Sequence, residues 1–490
     1  MEPLPPVAVP SGFAVPEANF YFDVVCPYAF IASERLHDIA RVTGAKITWK
    51  PVLLGALYDL TKAPQGKDGS ATTVMPPAKK AIVMQDFQRE IRRYQIPLKF
   101  HPQHPLKSVD AGRLLCAFPD HLRPKLARAL FRAYWLDGAN INSRVTLLRI
   151  ARSLKLTSSP NHAGPFSLTP ELQFPLDETI FADTREDKLR ANTQEAFELG
   201  AFGVPSFYIP AEKKLFWGQD RLHLFEAYLT AIKLRKPVHK LRALERFHPR
   251  CLRTPPEDRA RTLKFWFDFS SPWSYLAWTQ LERLQRDAGP GLTIELKPFL
   301  LGGLFKAIGT PVVPSESMSA ARATYNMQDL HDWSDFWGGV NSQEYPPLDP
   351  PALAWPSTFP IRSVTALRVA LLDLKTVPAI YRAAWRDDKL ISEEKVLIEV
   401  LNANGFDGED LVRAATTGPE SETVKAQLRA NTDEAVTLGL CGAPTFQMGK
   451  TLVWGGDRLN HVADLVLGWR PEKSNLKASV AAFPHFDYRL

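Results

Sequence analysis

The feature of this sequence that most limits its fold is an internal repeat covering nearly the whole chain. Four segments recur in the same order, each roughly 240 residues after its first copy. The pairs are YFDVVCPYAF with WFDFSSPWSY, WKPVLLGALY with LKPFLLGGLF, LRANTQEAFELGAFGVPSF with LRANTDEAVTLGLCGAPTF, and FWGQDRL with VWGGDRL. So long a period indicates two whole domains rather than a stack of short units. We predict domain 1 at residues 17–236 and domain 2 at residues 262–470.

The segment between the two repeats, residues 237–261, is rich in Lys, Arg and Pro. This composition is typical of a solvated connector. With 490 residues, the chain is long enough for each repeat to bury a core of its own. We expect the tail after residue 470 to pack loosely.

Composition excludes several classes of protein. A net charge of +7 is small for this length, and no motif typical of nucleic-acid binding is present, so we expect no nucleic-acid partner. The 4 cysteines show no CxxC spacing and predict neither a disulfide scaffold nor a metal site. No secretory signal or membrane-spanning run is apparent. We therefore expect a cytoplasmic protein with no membrane partner; a peroxisome or a mitochondrion is the alternative location.

Each repeat predicts the same order of elements. Short aromatic and β-branched runs, ANFYFDVV and LKFWFDFS, predict first strands, and apolar residues at helical spacing follow them. A second strand, a long helical segment, a strand pair beginning at GVPSF or GAPTF, and a last helix come next. This order predicts an α/β protein of two tandem thioredoxin-like domains, each with an inserted helical subdomain.

A Cys-Pro or Ser-Pro pair stands where the first helix of each repeat should begin. Pro27 and Pro272 suit the first helical position, which places Cys26 and Ser271 at or near the N-cap. The helix dipole favours an anion there, so a thiolate at Cys26 would be stabilised, and a cysteine in such a place can titrate well below the usual thiol pKa of about 8.5. Ser271 cannot ionise usefully, but it can donate a hydrogen bond to a thiolate brought by another molecule. The plainer explanation is a small capping residue.

The segments GVPSF and GAPTF each contain a candidate cis-proline, Pro205 and Pro444. A cis bond at this position would expose the backbone of the preceding residue, Val204 or Ala443, for pairing with an extended peptide ligand.

Two aspartates, Asp220 and Asp457, lie near the predicted start of the last helix in each repeat. A carboxylate there either caps the helix or binds an ammonium group. Each of these features has a plain structural explanation when it is taken alone. Their recurrence in the same order in both repeats favours a functional one.

The segments FDFSSPWSYLA, GAPTF and WGGDRL resemble those of the 2-hydroxychromene-2-carboxylate isomerases and the kappa-class glutathione transferases, members of the DsbA-like thioredoxin superfamily. The resemblance covers both repeats. It implies glutathione as cofactor and a small electrophilic substrate with a conjugated carbonyl group. The thiol would add to this substrate, permit rotation about the former double bond, and leave again. The chain would correspond to a fused pseudo-dimer that could stand alone as a monomer.

The resemblance also implies roles for particular residues. The residue before the first proline interacts with the glutathione sulfur, which gives Ser271 and, with a changed atom, Cys26. Val204 with Pro205, and Ala443 with Pro444, would pair with the cysteinyl part of glutathione. The γ-glutamyl end would be bound by Gln219, Asp220 and Asp457. The glycyl carboxylate would be approached by Lys79 and Arg322.

Both repeats depart from the dithiol pattern, because the position three residues after Cys26 or Ser271 holds Ala29 or Ser274. A disulfide within either turn is therefore excluded. Domain 1 has the γ-glutamyl contacts and the lysine but a cysteine in the active position. Domain 2 has the serine, whereas Gly456 offers no side chain.

Several alternatives remain open from the sequence. Cys26 could form a mixed disulfide with glutathione, which would indicate a monothiol glutathione-disulfide oxidoreductase. A binding protein that has lost turnover is the third possibility. Cys441 lies either near Ser271 or in the core. The aromatic residues Tyr325, Trp333 and Trp337 either face a flat substrate or belong to the core.

Overall fold

The computed structural model describes residues 14–67, 69–154, 176–253 and 260–472, and its elements form two sets that match the two repeats. The tail from residue 473 onward, for which loose packing was predicted, lies outside the described residues. No helix in the described ranges is both long and apolar enough to cross a lipid bilayer.

Domain 1 contains four strands and eight α-helices among the residues that are described. In chain order they are β1 (Glu17–Phe22), α1 (Pro27–Thr43), β2 (Lys46–Pro51), α2 (Leu54–Leu60), α3 (Pro77–Arg93), α4 (Val109–Ala117), α5 (Arg123–Trp135), α6 (Arg144–Ser153), α7 (Asp183–Glu198), β3 (Ser206–Ile209), β4 (Lys214–Trp217) and α8 (Leu222–Leu234).

Domain 2 repeats this order, with its first helix divided in two and more helices in the insertion. Its elements are β5 (Arg261–Phe267), α9 (Pro272–Trp278), α10 (Leu281–Ala288), β6 (Leu292–Pro298), α11 (Leu301–Ala307), α12 (Ala320–Asn341), α13 (Val364–Leu372), α14 (Val377–Trp385), α15 (Glu394–Ala403), α16 (Gly408–Thr416), α17 (Ser421–Leu438), β7 (Thr445–Met448), β8 (Thr451–Trp454) and α18 (Leu459–Val466).

The two sheets have the same topology. Their strand orders are β2-β1-β3-β4 and β6-β5-β7-β8. In each sheet the first two strands are parallel, and the third strand runs antiparallel to both of its neighbours. The helical insertion lies between the second and third strands, as the repeats predict. The predicted fold class, two tandem thioredoxin-like domains, is confirmed.

Aromatic residues of the central strands form the core of each sheet. In domain 1, Phe20 is fully buried and stacks on Phe207, with 5.2 Å between ring centroids. In domain 2 the corresponding rings, Phe265 and Phe446, are 5.3 Å apart. This alternation of aromatic residues is what identifies the strands in the sequence, because every second residue of a strand faces the same side.

The inserted helix of each domain contacts the edge strand of the other. Arg89 in α3 donates from both terminal guanidinium nitrogens to the Leu452 carbonyl in β8, at 3.0 and 2.9 Å. Gln328 in α12 donates to the Leu215 carbonyl in β4 at 2.7 Å. These bonds satisfy carbonyl groups of the two edge strands, which would otherwise be open to pairing with another chain.

The segment between the domains is not a solvated connector, so that prediction was wrong for its described part. Leu241, Leu244 and Phe247 are buried, and they recur at a spacing of three residues that the many basic residues obscure. The next residues surround Asp464 of α18, whose carboxylate accepts from Arg250 Nε at 3.1 Å and from the Leu252 N–H at 3.0 Å. The segment therefore packs as part of the domain boundary.

The aromatic residues of the second insertion belong to this boundary as well. Tyr325, Trp333 and Trp337 are buried, and Trp333 and Trp337 stack on each other with centroids 5.5 Å apart. Trp337 also lies edge-on to His248 of the connecting segment. Of the two alternatives that the sequence left open, packing in the core applies.

The Asp464 carboxylate predicts a large stability effect. It is fully buried and pairs with Arg93 and Arg250. Replacing it by alanine leaves Arg93 without its buried carboxylate partner and leaves Arg250 with the more distant Asp287 at 3.7 Å, so we expect Asp464→Ala to lower the free energy of unfolding by about 3–5 kcal/mol. Urea denaturation would measure this change. As a control, Asp433→Ala removes an exposed pair with Arg429 and should cost less than about 0.5 kcal/mol. Equal effects of the two variants would contradict the prediction.

Candidate functional site

The Cys26 turn connects β1 to α1 in domain 1. Cys26 is the N-cap residue of α1, in extended conformation, and Pro27 follows as the first helical residue. The Cys26 N–H donates to the Asp23 carbonyl at 3.0 Å, and its thiol donates to the Val204 carbonyl at 3.2 Å. The Val204–Pro205 bond is cis. Three predicted site residues thus lie together, and the predicted cis-proline is confirmed.

The Ser271 turn repeats this arrangement in domain 2. The Ser271 hydroxyl donates to the Ala443 carbonyl at 2.9 Å and accepts from the Ser274 N–H at 3.2 Å. The Ala443–Pro444 bond is cis, as predicted. Ser271 therefore caps its helix through its side chain, whereas Cys26 makes no such bond.

The expectation of a low thiol pKa at Cys26 was wrong. Burial raises the pKa of Cys26 to about 12, although the N–H groups of Tyr28 and Ala29 at the helix start act to lower it. The side chain is buried, so the loss of hydration of a thiolate outweighs the favourable end of the helix. The thiol is therefore protonated at neutral pH, and it can act as a hydrogen-bond donor.

A buried aspartate that was not predicted from the sequence supports each turn. The Asp23 carboxylate accepts from the Leu54 N–H, the first residue of α2, at 2.9 Å. The Asp268 carboxylate accepts from the Leu301 N–H, the first residue of α11, at 2.8 Å. The Phe-Asp pair present in both YFDVV and WFDFS was the available signal.

Asp220 and Asp457 meet at the boundary between the domains. Arg221 Nη1 lies 2.8 Å from Asp220 Oδ2 and 2.8 Å from Asp457 Oδ2. Arg458 Nη1 lies 2.7 Å from Asp220 Oδ2 and 2.9 Å from Asp457 Oδ2. We call these four residues the charge ring. Each aspartate is thus held by one arginine from each domain.

Two further carboxylates flank the charge ring. Asp329 in α12 forms a two-pronged pair with Arg221, at 2.9 and 2.7 Å, and Asp86 in α3 accepts from Arg458 Nε at 2.8 Å. Four carboxylates therefore share two guanidinium groups, which leaves an excess of negative charge. The Asp220 and Asp457 side chains stay 21% and 20% exposed, so an ammonium group could reach them.

Gln219 and its counterpart Gly456 differ for a packing reason. Gln219 is buried, and its side-chain oxygen accepts from Arg35 Nη1 at 2.8 Å, so this oxygen is directed toward α1. A side chain at Gly456 would place Cβ 3.0 Å from the Trp273 carbonyl oxygen and 3.2 Å from Ala277 Cβ. A side chain at position 456 would therefore crowd these two atoms and require them to shift. A γ-glutamyl role for Gln219 stays a prediction.

The two predicted basic residues lie in the sites of the opposite domains. Lys79 Nζ is 5.5 Å from the centre of the Trp454 ring in domain 2, and Arg322 is 5.8 Å from the Trp217 ring in domain 1. The assignment of the lysine to the domain 1 site is therefore corrected. The physical reason is the packing of α3 on β8 and of α12 on β4. Within the described ranges neither Lys79 nor Arg322 is paired with a carboxylate.

Cys441 lies at the wall of the domain 2 site but is buried. It packs in one cluster with Ala443 and Phe305. Burial raises the pKa of Cys441 to about 12, and the nearby charge of Lys79 lowers it by less. Cys441 is thus a core thiol close to the residue with which Ser271 bonds.

A cavity of about 280 Å³ lies away from both turns, between α1, the end of α3, and α5. Its lining includes Arg35, Tyr94 and Arg132 but none of the predicted site residues. Arg35 connects it to the Gln219 side chain.

The shared guanidinium groups predict a pH effect on stability. Burial raises the pKa of Asp329 from 3.8 to about 6, because Arg221 is divided among three carboxylates and cannot fully offset the desolvation of each. The folded state therefore binds more protons than the unfolded state between about pH 4 and 6, and this contribution to stability is lost as pH rises through 6. The Asp329→Asn variant lacks this carboxyl group, so its stability has no contribution from the titration of residue 329.

The measurement is urea denaturation of both proteins from pH 4 to 7. We expect the unfolding free energy of the wild type, relative to that of Asp329→Asn, to fall across this range. A difference that stays constant with pH would contradict the prediction.

Comparisons with known proteins agree with this architecture. A family model described as DSBA-like thioredoxin domain matches residues 17–230 and 262–466. The 2-hydroxychromene-2-carboxylate isomerase of Sphingobium xenophagum is 25% identical over 211 residues, 43% of this chain and 96% of that protein. Glutathione S-transferase kappa 1 of Rattus norvegicus is 26% identical over 228 residues, 45% of this chain and 93% of that protein.

Two further comparisons likewise cover less than half of this chain. Glutathione s-transferase kappa 2 of Caenorhabditis elegans is 30% identical over 218 residues, 42% of this chain and 92% of that protein. A solved structure of a 2-hydroxychromene-2-carboxylate isomerase, 24% identical, covers 42% of this chain and 93% of its own, with a TM-score of 0.35. Each relative thus spans less than half of this chain. Because the family model matches both repeats, the chain belongs to the DSBA-like thioredoxin domain family and carries that domain twice.

Proposed function

We propose that this protein is a glutathione-dependent isomerase or transferase acting on a small molecule with a conjugated carbonyl group. The observation that carries the proposal is the pair of protonated donors, Cys26 and Ser271. Each lies at a helix start and bonds the carbonyl before a cis-proline. With Ala29 and Ser274 in place of a second cysteine, each site has a donor suited to an incoming sulfur and no partner for a disulfide of its own.

The residues present suit glutathione. Its ammonium group fits the excess of carboxylates beside Asp220 and Asp457, and a carboxylate of the tripeptide fits Lys79 or Arg322. Burial and the nearby Arg322 charge lower the pKa of Lys79, so an anion bound there would relieve the repulsion between two cations. The backbone of Val204 and Ala443 would pair with the central residue of the ligand.

The chain's own residues would orient the ligand and exclude water. Glutathione, when bound, supplies a thiolate that can add reversibly to a conjugated carbonyl compound. The Ser271 hydroxyl and the Cys26 thiol, now bonded to backbone carbonyls, can turn their protons toward an anionic sulfur. Both side chains are nearly inaccessible to solvent, and a hydrogen bond to a charged group is stronger in such a place.

The monothiol exchange alternative is opposed by the raised pKa of Cys26, because the attacking species in disulfide exchange is the thiolate. The two functions differ in their response to Cys26→Ser. This variant retains a hydrogen-bond donor, so an isomerase keeps turnover, whereas a disulfide exchanger loses all activity.

The test is the isomerisation of 2-hydroxychromene-2-carboxylate, the compound in the name of one relative, with and without glutathione. We expect glutathione-dependent turnover in the wild type and in Cys26→Ser. We expect a decrease of about tenfold or more when both donors are removed in Cys26→Ala/Ser271→Ala. Loss of isomerisation in Cys26→Ser, together with disulfide exchange by the wild type, would contradict the proposal. Glutathione binding without turnover on any conjugated carbonyl compound would support a binding protein instead.

The position of Lys79, a domain 1 residue beside the candidate site of domain 2, gives a second test of glutathione binding. Lys79→Gln removes the cation at the Trp454 ring, so we expect one of the two glutathione dissociation constants to rise about tenfold or more by calorimetry. The matched control is Lys80→Gln, the exposed neighbour on the same helix, which should bind as the wild type does. The affected site should be the one that contains Ser271. If Lys79→Gln and Lys80→Gln bind alike, Lys79 has no role in glutathione binding.

A further inference from the structure

The two sites differ at one position that the proposed function does not use. Tyr58 in α2 corresponds to Phe305 in α11, and each lies four residues after the first residue of its helix. That first residue, Leu54 or Leu301, donates its N–H to the aspartate that also accepts the N–H of the Cys26 or Ser271 turn. The backbone around positions 58 and 305 is thus fixed to the two turns in the same way.

Helix geometry directs both side chains toward the site. Residues four apart share a face, and helical side chains lean toward the helix start, which here is the end tied to the turn. In domain 2 the packing agrees with this direction, because Phe305 lies in one cluster with Ala443 and Cys441. In domain 1, Cys26 raises the pKa of Tyr58 and Arg322 lowers it, so the phenol lies near both side chains.

The difference between Tyr58 and Phe305 accompanies the difference between Cys26 and Ser271 in the turns. Domain 1 pairs the thiol of Cys26 with the phenol of Tyr58, and domain 2 pairs the hydroxyl of Ser271 with the plain ring of Phe305. A thiol is a weak hydrogen-bond donor, whereas a hydroxyl is a strong one. This pair of positions therefore carries one hydroxyl group in each domain, in the turn of domain 2 and in the helix of domain 1.

The Tyr58 hydroxyl can donate its proton. Burial raises the pKa of Tyr58 and keeps the phenol protonated at neutral pH, and the side chain of Gln65 acts in the opposite direction by less. A protonated phenol is a hydrogen-bond donor.

We propose that Tyr58 donates a hydrogen bond to the sulfur of glutathione bound in the domain 1 site, and so takes the role that Ser271 has in domain 2. The proposal rests on the proposed function, because it requires glutathione to bind with its sulfur at the Cys26 turn. No bond is made or broken in this step; the phenol keeps its proton and shares it with the anionic sulfur.

The experiment reads the ionisation of the bound thiol and not turnover. In a Ser271→Ala background, which removes the donor of domain 2, the ultraviolet absorbance of the thiolate is titrated with pH in the complex with glutathione. Adding Tyr58→Phe should raise the pKa of the bound thiol by about one to two units, the shift expected when a charged sulfur loses one hydrogen bond. Adding Cys26→Ser as well should reverse most of the shift, because it recreates the serine and phenylalanine pair of domain 2.

The control is Tyr228→Phe in the same background, which removes a phenol hydroxyl from α8 and should not change the titration. A shift smaller than about 0.3 units with Tyr58→Phe would overturn the proposal. The reciprocal variant Phe305→Tyr, in a Cys26→Ala/Ser271→Ala background, should lower the pKa of the bound thiol, and no change there would count against it equally. If calorimetry detects no glutathione binding to the wild type, the proposed function fails as well; binding with a titration insensitive to Tyr58 rejects this inference alone.

Discussion

The charge ring at the domain boundary is the interaction on which both candidate sites depend. Asp220 and Asp457 lie close together and are mostly shielded from water, so the two carboxylates repel each other strongly. They are tolerated because Arg221 and Arg458 each bridge both of them. One arginine comes from each domain, so neither carboxylate has its full set of partners unless both domains are in place. Fusion of the two repeats in one chain supplies both domains together.

The rest of each candidate site also depends on residues from both domains. The turn and the cis-proline come from one domain, and the basic residue comes from the inserted helix of the other. Helices α3 and α12 reach across because their side chains satisfy the edge strands of the opposite sheets. The same helices therefore cover a sheet edge and place a basic residue beside the candidate site of the other domain.

The two copies share the residues that hold the backbone and differ at several of the predicted site positions. Gly218 and Gly455 both have a left-handed φ, 99° and 102°, and a Cβ there would lie 2.3 Å from the Oδ1 atom of Asp220 or Asp457. No other residue suits that position. Cys26 and Ser271, by contrast, differ between two turns of the same geometry, since either side chain can donate to the same carbonyl.

The sequence by itself determined the two domains, the order of their elements along the chain, both helix starts and both cis-prolines, because each rests on local periodicity, on proline geometry or on the repeat. Only the tertiary structure decided the pKa of Cys26, the packing of the connecting segment and the exchange of Lys79 and Arg322 between the domains. The dipole at a helix start can be inferred from a Cys-Pro pair, but the desolvation that outweighs it depends on residues distant in the chain. In the same way, the burial of Leu241 and Leu244 in the basic connecting segment depends on a surface that forms only when the two domains meet.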